Sequence, residues 1–103
     1  MHGLVVRSDL VDQTSAEAFD ALVARTLPLI TEREPGTLQH AVHAVQDEPL
    51  ARVSYELYAA ADAFAAHEAA PRTAAMLEAF GALLAVPPRV EHVASADGTN
   101  LPA

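Results

Sequence analysis

The apolar pattern of the chain changes period at Tyr58, and that change limits the folds open to it. From Arg52 to Tyr58 the residues alternate, with Val53, Tyr55 and Leu57 on one side and Ser54, Glu56 and Tyr58 on the other, as in a strand. From about Ala60 the spacing is helical, and Phe64 and His67 share a face by their i,i+3 relation. Tyr58 and His67 therefore come from adjoining elements and can converge on one pocket. Glu56 stands out, because a carboxylate on an interior strand must be hydrogen-bonded, ion-paired or functional.

The flanking stretches complete the pattern. Leu4 to Val11 is apolar on both alternation sets and reads as a strand covered on both faces, interrupted by Arg7, Ser8 and Asp9. Those three are a solvated edge unless one of them lines a cleft. Thr14-Ser15-Ala16-Glu17 has capping-box spacing, and Phe19, Leu22, Val23, Leu27 and Ile30 form the buried stripe of the helix it opens. Pro28 predicts a kink in that helix, and Pro35 with Gly36 its end. Thr37 to Gln46 alternates as a second strand, joined through a turn at Asp47-Glu48-Pro49 to the third at Arg52–Tyr58, an antiparallel hairpin. His40 and His43 differ in parity and point to opposite faces, so they cannot form a metal pair on a regular strand. Each reads as a histidine on a semi-polar face. Pro71 opens a further helix, whose buried residues are Met76, Phe80, Leu83 and Leu84. Val86-Pro87-Pro88 stops it. Arg89 to Ser95 makes the last strand, with Val90, His92 and Ala94 on one side.

Strand, helix, strand, strand, helical segment, strand is the order of an α+β ferredoxin-like split βαβ domain, with helices over one face of a four-stranded antiparallel sheet. The Val and Leu residues of the first and third strands would leave the other face apolar, and a second copy burying it predicts a homodimer. At 103 residues, the expected organisation is one domain over residues 1–95 and a loose tail over residues 96–103.

Charge and composition narrow the function classes. The net charge of -8 repels phosphate backbones and anionic lipid, so neither nucleic acid nor membrane is an expected partner. Without cysteine there is no disulfide framework and no thiol chemistry, which suits a cytoplasmic protein. The start reaches Arg7 too soon for a signal-peptide core, and no apolar run is long enough to span a bilayer. There is no nucleophile-elbow Gly-x-Ser-x-Gly, no phosphate-binding glycine loop and no clustered metal-ligand spacing. No metal and no cofactor are expected.

Glu34-Pro35-Gly36-Thr37-Leu38-Gln39, Asp47-Glu48-Pro49, Tyr55-Glu56-Leu57-Tyr58 and Ala66-His67 through Pro71, in this order and spacing, resemble the antibiotic biosynthesis monooxygenase family over roughly residues 3 to 95. The resemblance implies a dimeric α+β barrel. It also implies a cofactor-independent monooxygenase in which a phenolic, quinol or polycyclic aromatic substrate gives up a proton and its carbanion reacts with O2. His67 stands where many members have a His. Tyr58 replaces a Trp and Arg72 a second His, and the Asn that haem-degrading members carry on the first strand is missing among Arg7, Ser8 and Asp9. Those departures weigh against haem degradation.

On this basis His67 is the general base, Tyr58 donates a hydrogen bond to a substrate oxygen, and Arg72 or Arg7 holds negative charge, with Glu56 and Phe64 also contacting the substrate. The rival reading is a non-catalytic small-molecule-binding or accessory dimer, suited by the Ala-rich helices. An isomerase or cyclase using the same base is a further alternative.

Overall fold

In the computed structural model the chain runs β1 (His2–Asp9), α1 (Gln13–Arg33), β2 (Thr37–Val45), β3 (Glu48–Tyr58), α2 (Ala61–Ala69), α3 (Pro71–Gly81) and β4 (Arg89–Val93). The residues described are 1–94, 97–99 and 101. Ser95, expected to end the last strand, and residues 96, 100, 102 and 103 of the expected tail lie outside them. The four strands form one antiparallel sheet in the order β2-β3-β1-β4, the ferredoxin-like topology the element order implies.

Three local expectations are corrected. The N-cap of α1 is Asp12, whose carboxylate accepts the Ser15 amide hydrogen at 2.8 Å, so Thr14 and Glu17 lie inside the helix and form no capping box. Asp is as good a cap as Ser or Thr, and here it comes first. The hairpin turns at Gln46–Asp47, with Asp47 at φ 64, and Glu48 already pairs with Val45 as part of β3. Asp tolerates this left-handed conformation, which lets the chain reverse in two residues. A third correction is the end of α3, which stops at Gly81 before the expected Val86-Pro87-Pro88, so Leu83 and Leu84 pack on the core from beyond the helix, Leu84 bridging Leu10. Helix α1 continues through Pro28 to Arg33, and Pro71 is in the first turn of α3.

Register decides which side chains meet the helices. One row across the sheet reads His40, Glu56, Leu4, His92, and the next reads Val42, Ser54, Val6, Val90, all directed to the helix side. The alternate residues, including Ala41, Tyr55, Val5 and Glu91, form the opposite face. At one end of the helix side Leu10, Ala16 and Phe19 form the core, and Phe19 stacks on Phe80 with ring centroids 4.3 Å apart. Arg52 ties α1 to β3 through two bonds to Asp20, 2.9 and 3.0 Å long. No helix among the described residues is long and apolar enough to cross a membrane.

Candidate functional site

Between the sheet and the helices lies a cavity of about 500 Å³, in the size range of small-molecule sites. Its walls are mainly apolar, among them Val6, Val23, Phe64, Met76 and Phe80. The polar groups collect where His40 and Glu56 from the sheet meet His67 from α2.

His67 is 5% exposed, and its Nδ1 lies 2.6 Å from Glu34 Oε1. An ionised carboxylate only accepts, so Nδ1 carries a hydrogen, and Nε2 is turned toward Glu56, whose Oε1 is 3.7 Å away. Glu34 caps α1 at its C-terminus, and the turn at Pro35–Gly36 swings its side chain inward. Its second oxygen accepts from Arg72 Nε at 2.6 Å, and Thr37 Oγ1 donates to Oε1 at 3.4 Å. Burial alone would raise the Glu34 carboxyl, but the hydrogen bonds and charges of His67 and Arg72 outweigh it and hold the group below its ordinary value. A charged Glu34 thus fixes both the tautomer and the orientation of His67.

On β3, the Tyr58 hydroxyl donates to Glu56 Oε1 at 2.5 Å. Burial first, then the bond to Glu56 and its charge, push the phenol well above its ordinary value, so Tyr58 stays protonated. His40 sets its Nε2 3.9 Å from Glu56 Oε2, and its ring meets that of His67 edge to face at 5.9 Å. Burial lowers the His40 imidazole, an effect only partly offset by Glu56, so this ring is neutral near pH 7. Its Nδ1 is buried and has no hydrogen-bond partner among the described residues. Beside this group His2 stacks on Phe64 at 4.4 Å, and His92 meets Phe64 edge to face at 5.8 Å.

A profile of the antibiotic biosynthesis monooxygenase family matches residues 1–79. The chain belongs to that family. Solved structures agree on the fold. A Caulobacter crescentus protein assigned to antibiotic biosynthesis monooxygenases superposes with a TM-score of 0.86 at 23% identity, over 93% of this chain and 90% of that one. A Deinococcus radiodurans protein assigned in the same way gives 0.84 at 16%, over 100% of both chains. The N63A mutant of SnoaB, a cofactor-independent oxygenase from Streptomyces nogalater, gives 0.79 at 20%, over 97% of both. A search of curated protein sequences returned no match.

In this antibiotic biosynthesis monooxygenase domain, His67, Glu56 and Phe64 reach the cavity as the sequence led us to expect. Three other expected site residues do not line it. Tyr58 is fully buried behind Glu56, with its hydroxyl committed to that carboxylate. Arg72 is spent on Glu34. Arg7 has odd parity on β1, so it projects from the far face of the sheet and bonds Asp9 and Glu48. Of the Arg7-Ser8-Asp9 interruption it is Ser8 that lines the cavity.

Sequence reasoning missed Glu34 and His40. The parity argument did place His40 and His43 on opposite faces, and His43 is exposed while His40 faces the cavity. Nothing in linear spacing announces that the end of α1, the start of β2 and the middle of α2 meet.

Proposed function

We propose that this protein is a cofactor-independent monooxygenase that binds an electron-rich phenolic, quinol or polycyclic aromatic molecule in the cavity and removes a proton from it with His67. The observation carrying this reading is the Glu34–His67 contact, which holds the ring through Nδ1 and leaves Nε2, on a cavity-lining residue, as the nitrogen that takes the proton when the ring is neutral. Protonation of that nitrogen yields an imidazolium flanked by two carboxylates, Glu34 at 2.6 Å and Glu56 at 3.7 Å, a setting that stabilises positive charge. The substrate carbanion then passes electrons to O2. A CH2 becomes a carbonyl, one oxygen atom stays in the product and the other leaves as water with both hydrogens. Apolar walls keep bulk water from the reacting carbon. The description of SnoaB as a cofactor-independent oxygenase supports the same class of chemistry.

Within this reading Tyr58 and Arg72 position Glu56 and Glu34 respectively. Phe64, stacked with His2, offers an aromatic face to a planar ligand. We also propose a single domain over residues 1–95 working as a cytoplasmic homodimer, supported by the far sheet face, where Val5, Val53 and Tyr55 are only half-buried.

A second reading, a non-catalytic binding dimer, is favoured by one observation: both arginines expected to hold substrate charge are paired elsewhere. Oxygen uptake with a panel of hydroquinones and anthrones separates the two. Substrate-dependent uptake supports the enzyme, and tight binding without uptake supports the carrier.

A further inference from the structure

Three potential metal ligands converge at the polar end of the cavity. One ligand atom each from His40, Glu56 and His67 lies within 4.8 Å of the other two. We propose that His40 Nε2, His67 Nε2 and a carboxylate oxygen of Glu56 form a binding site for one first-row divalent transition-metal ion. The site does not depend on the oxygenase reading, since these atoms would ligate whether or not the protein turns over a substrate.

Geometry supports it first. Ligand atoms about 2.1 Å from a tetrahedral ion stand roughly 3.4 Å apart. His67 Nε2 lies 3.7 Å from Glu56 Oε1 and His40 Nε2 3.9 Å from Glu56 Oε2, too far for hydrogen bonds, and the three ligand atoms all fall within 4.8 Å of one another, a looser triangle that a bound ion would draw in.

Outer-sphere contacts support it next. Metal-bound histidines usually donate the other ring N–H to a carboxylate, and ligating carboxylates are themselves hydrogen-bonded. His67 does the first through Nδ1 and Glu34 at 2.6 Å, and Glu56 does the second by accepting from Tyr58 at 2.5 Å. With Nδ1 held by Glu34, Nε2 faces a carboxylate oxygen at 3.7 Å, and one cation between the two would be bound by both. The His40 side chain is only 8% exposed, and its Nε2 stands 3.9 Å from Glu56 Oε2, beyond hydrogen-bond distance. Two imidazoles and one carboxylate suit zinc, cobalt or iron(II) rather than magnesium or calcium, and they leave positions open toward the cavity.

An ion on His67 Nε2 occupies the electron pair that would take a proton. Metal loading and proton abstraction therefore exclude each other at this residue, and on the oxygenase reading the loaded protein is inactive.

The test is a titration of chelator-treated protein with Co2+, followed by visible absorption, with Zn2+ as competitor and with thermal unfolding measured in parallel. One equivalent of Co2+ should give saturable bands of a nitrogen- and oxygen-ligated ion that Zn2+ removes, and Zn2+ should raise the unfolding temperature of the wild type. His40→Ala and the near-isosteric Glu56→Gln should lose the bands while circular dichroism shows them folded. Glu34→Gln should weaken binding by about 10–100-fold. His43→Ala, altered on the far sheet face, and His92→Ala should bind as the wild type does. The proposal is overturned by a wild type that shows neither bands nor a Zn2+ effect. It is overturned equally by bands that survive in His40→Ala, or that vanish in His92→Ala, since His92 Nδ1 lies 3.4 Å from His2 Nε2 and that exposed pair would then be the site. Oxygen uptake in the presence of chelator keeps the two readings apart. Uptake without Co2+ binding removes only the metal site, and Co2+ binding without uptake in any state removes only the oxygenase.

Discussion

Glu34, at the C-terminal end of α1, takes the Nδ1 hydrogen of His67 in α2 at 2.6 Å, across 33 residues of sequence. The contact turns an otherwise ordinary helix histidine into one with a fixed tautomer and a fixed direction. Glu34→Gln keeps the shape but removes the charge that both His67 and Arg72 use. It should lower stability by about 1.5–3 kcal/mol, the range for hydrogen bonds to charged groups, measured by urea unfolding. A loss below the resolution of the measurement would mean the contact does not hold the ring.

The same pair sets a pH dependence. The Glu34 carboxyl is held below its ordinary 4.5 in the folded protein, so its stabilising contribution is complete above that pH and is lost as pH falls through the folded-state value. The stability difference between wild type and Glu34→Gln should be widest at neutral pH and shrink below about pH 4.5. Urea midpoints across an acidic series check it. A gap that grows with acid would reverse the sign and contradict the pairing.

Tyr58 does two separable things. Its ring fills a fully buried position, and its hydroxyl donates to Glu56. Tyr58→Phe should cost about 1–3 kcal/mol by leaving Glu56 short of a donor. Tyr58→Ala should cost about 3–5 kcal/mol, because it also empties the core position. Equal losses in the two variants would show that the hydroxyl contributes nothing.

Gly36 is a steric requirement rather than a conformational one. A Cβ there would come 2.6 Å from the Cβ of Ala63 in α2, and neither group can rotate away. Gly36→Ala should therefore push α2 outward, cost about 1–3 kcal/mol and displace His67. Pairing it with Ala63→Gly should recover most of the loss despite the helix penalty of glycine. Failure of the double variant to recover would place the strain elsewhere.

The elements were legible in the sequence because each announces itself locally. Alternation gave the hairpin parity that sends His40 inward and His43 outward, and Pro71 marked the start of α3. The site was only half legible. His67, Phe64 and Glu56 could be found because one short stretch carries all three and period alone sets their faces. Glu34 could not, since its role depends on how the end of α1 lies against α2, a tertiary fact with no periodic trace. Tyr58 and Arg72 were expected to meet the substrate directly, but their polar atoms turn to Glu56 and Glu34. A donor near a buried carboxylate satisfies that carboxylate first.

The measurement that bears most directly on the proposed chemistry is substrate-dependent oxygen uptake by wild type and His67→Ala, both treated with chelator and tested on the same hydroquinone and anthrone panel. A general base typically contributes about 10²–10⁴-fold, so His67→Ala should lose uptake by that order while still binding the aromatic ligand. Uptake unchanged by the substitution, or absent from the wild type with every substrate, would contradict proton abstraction by His67.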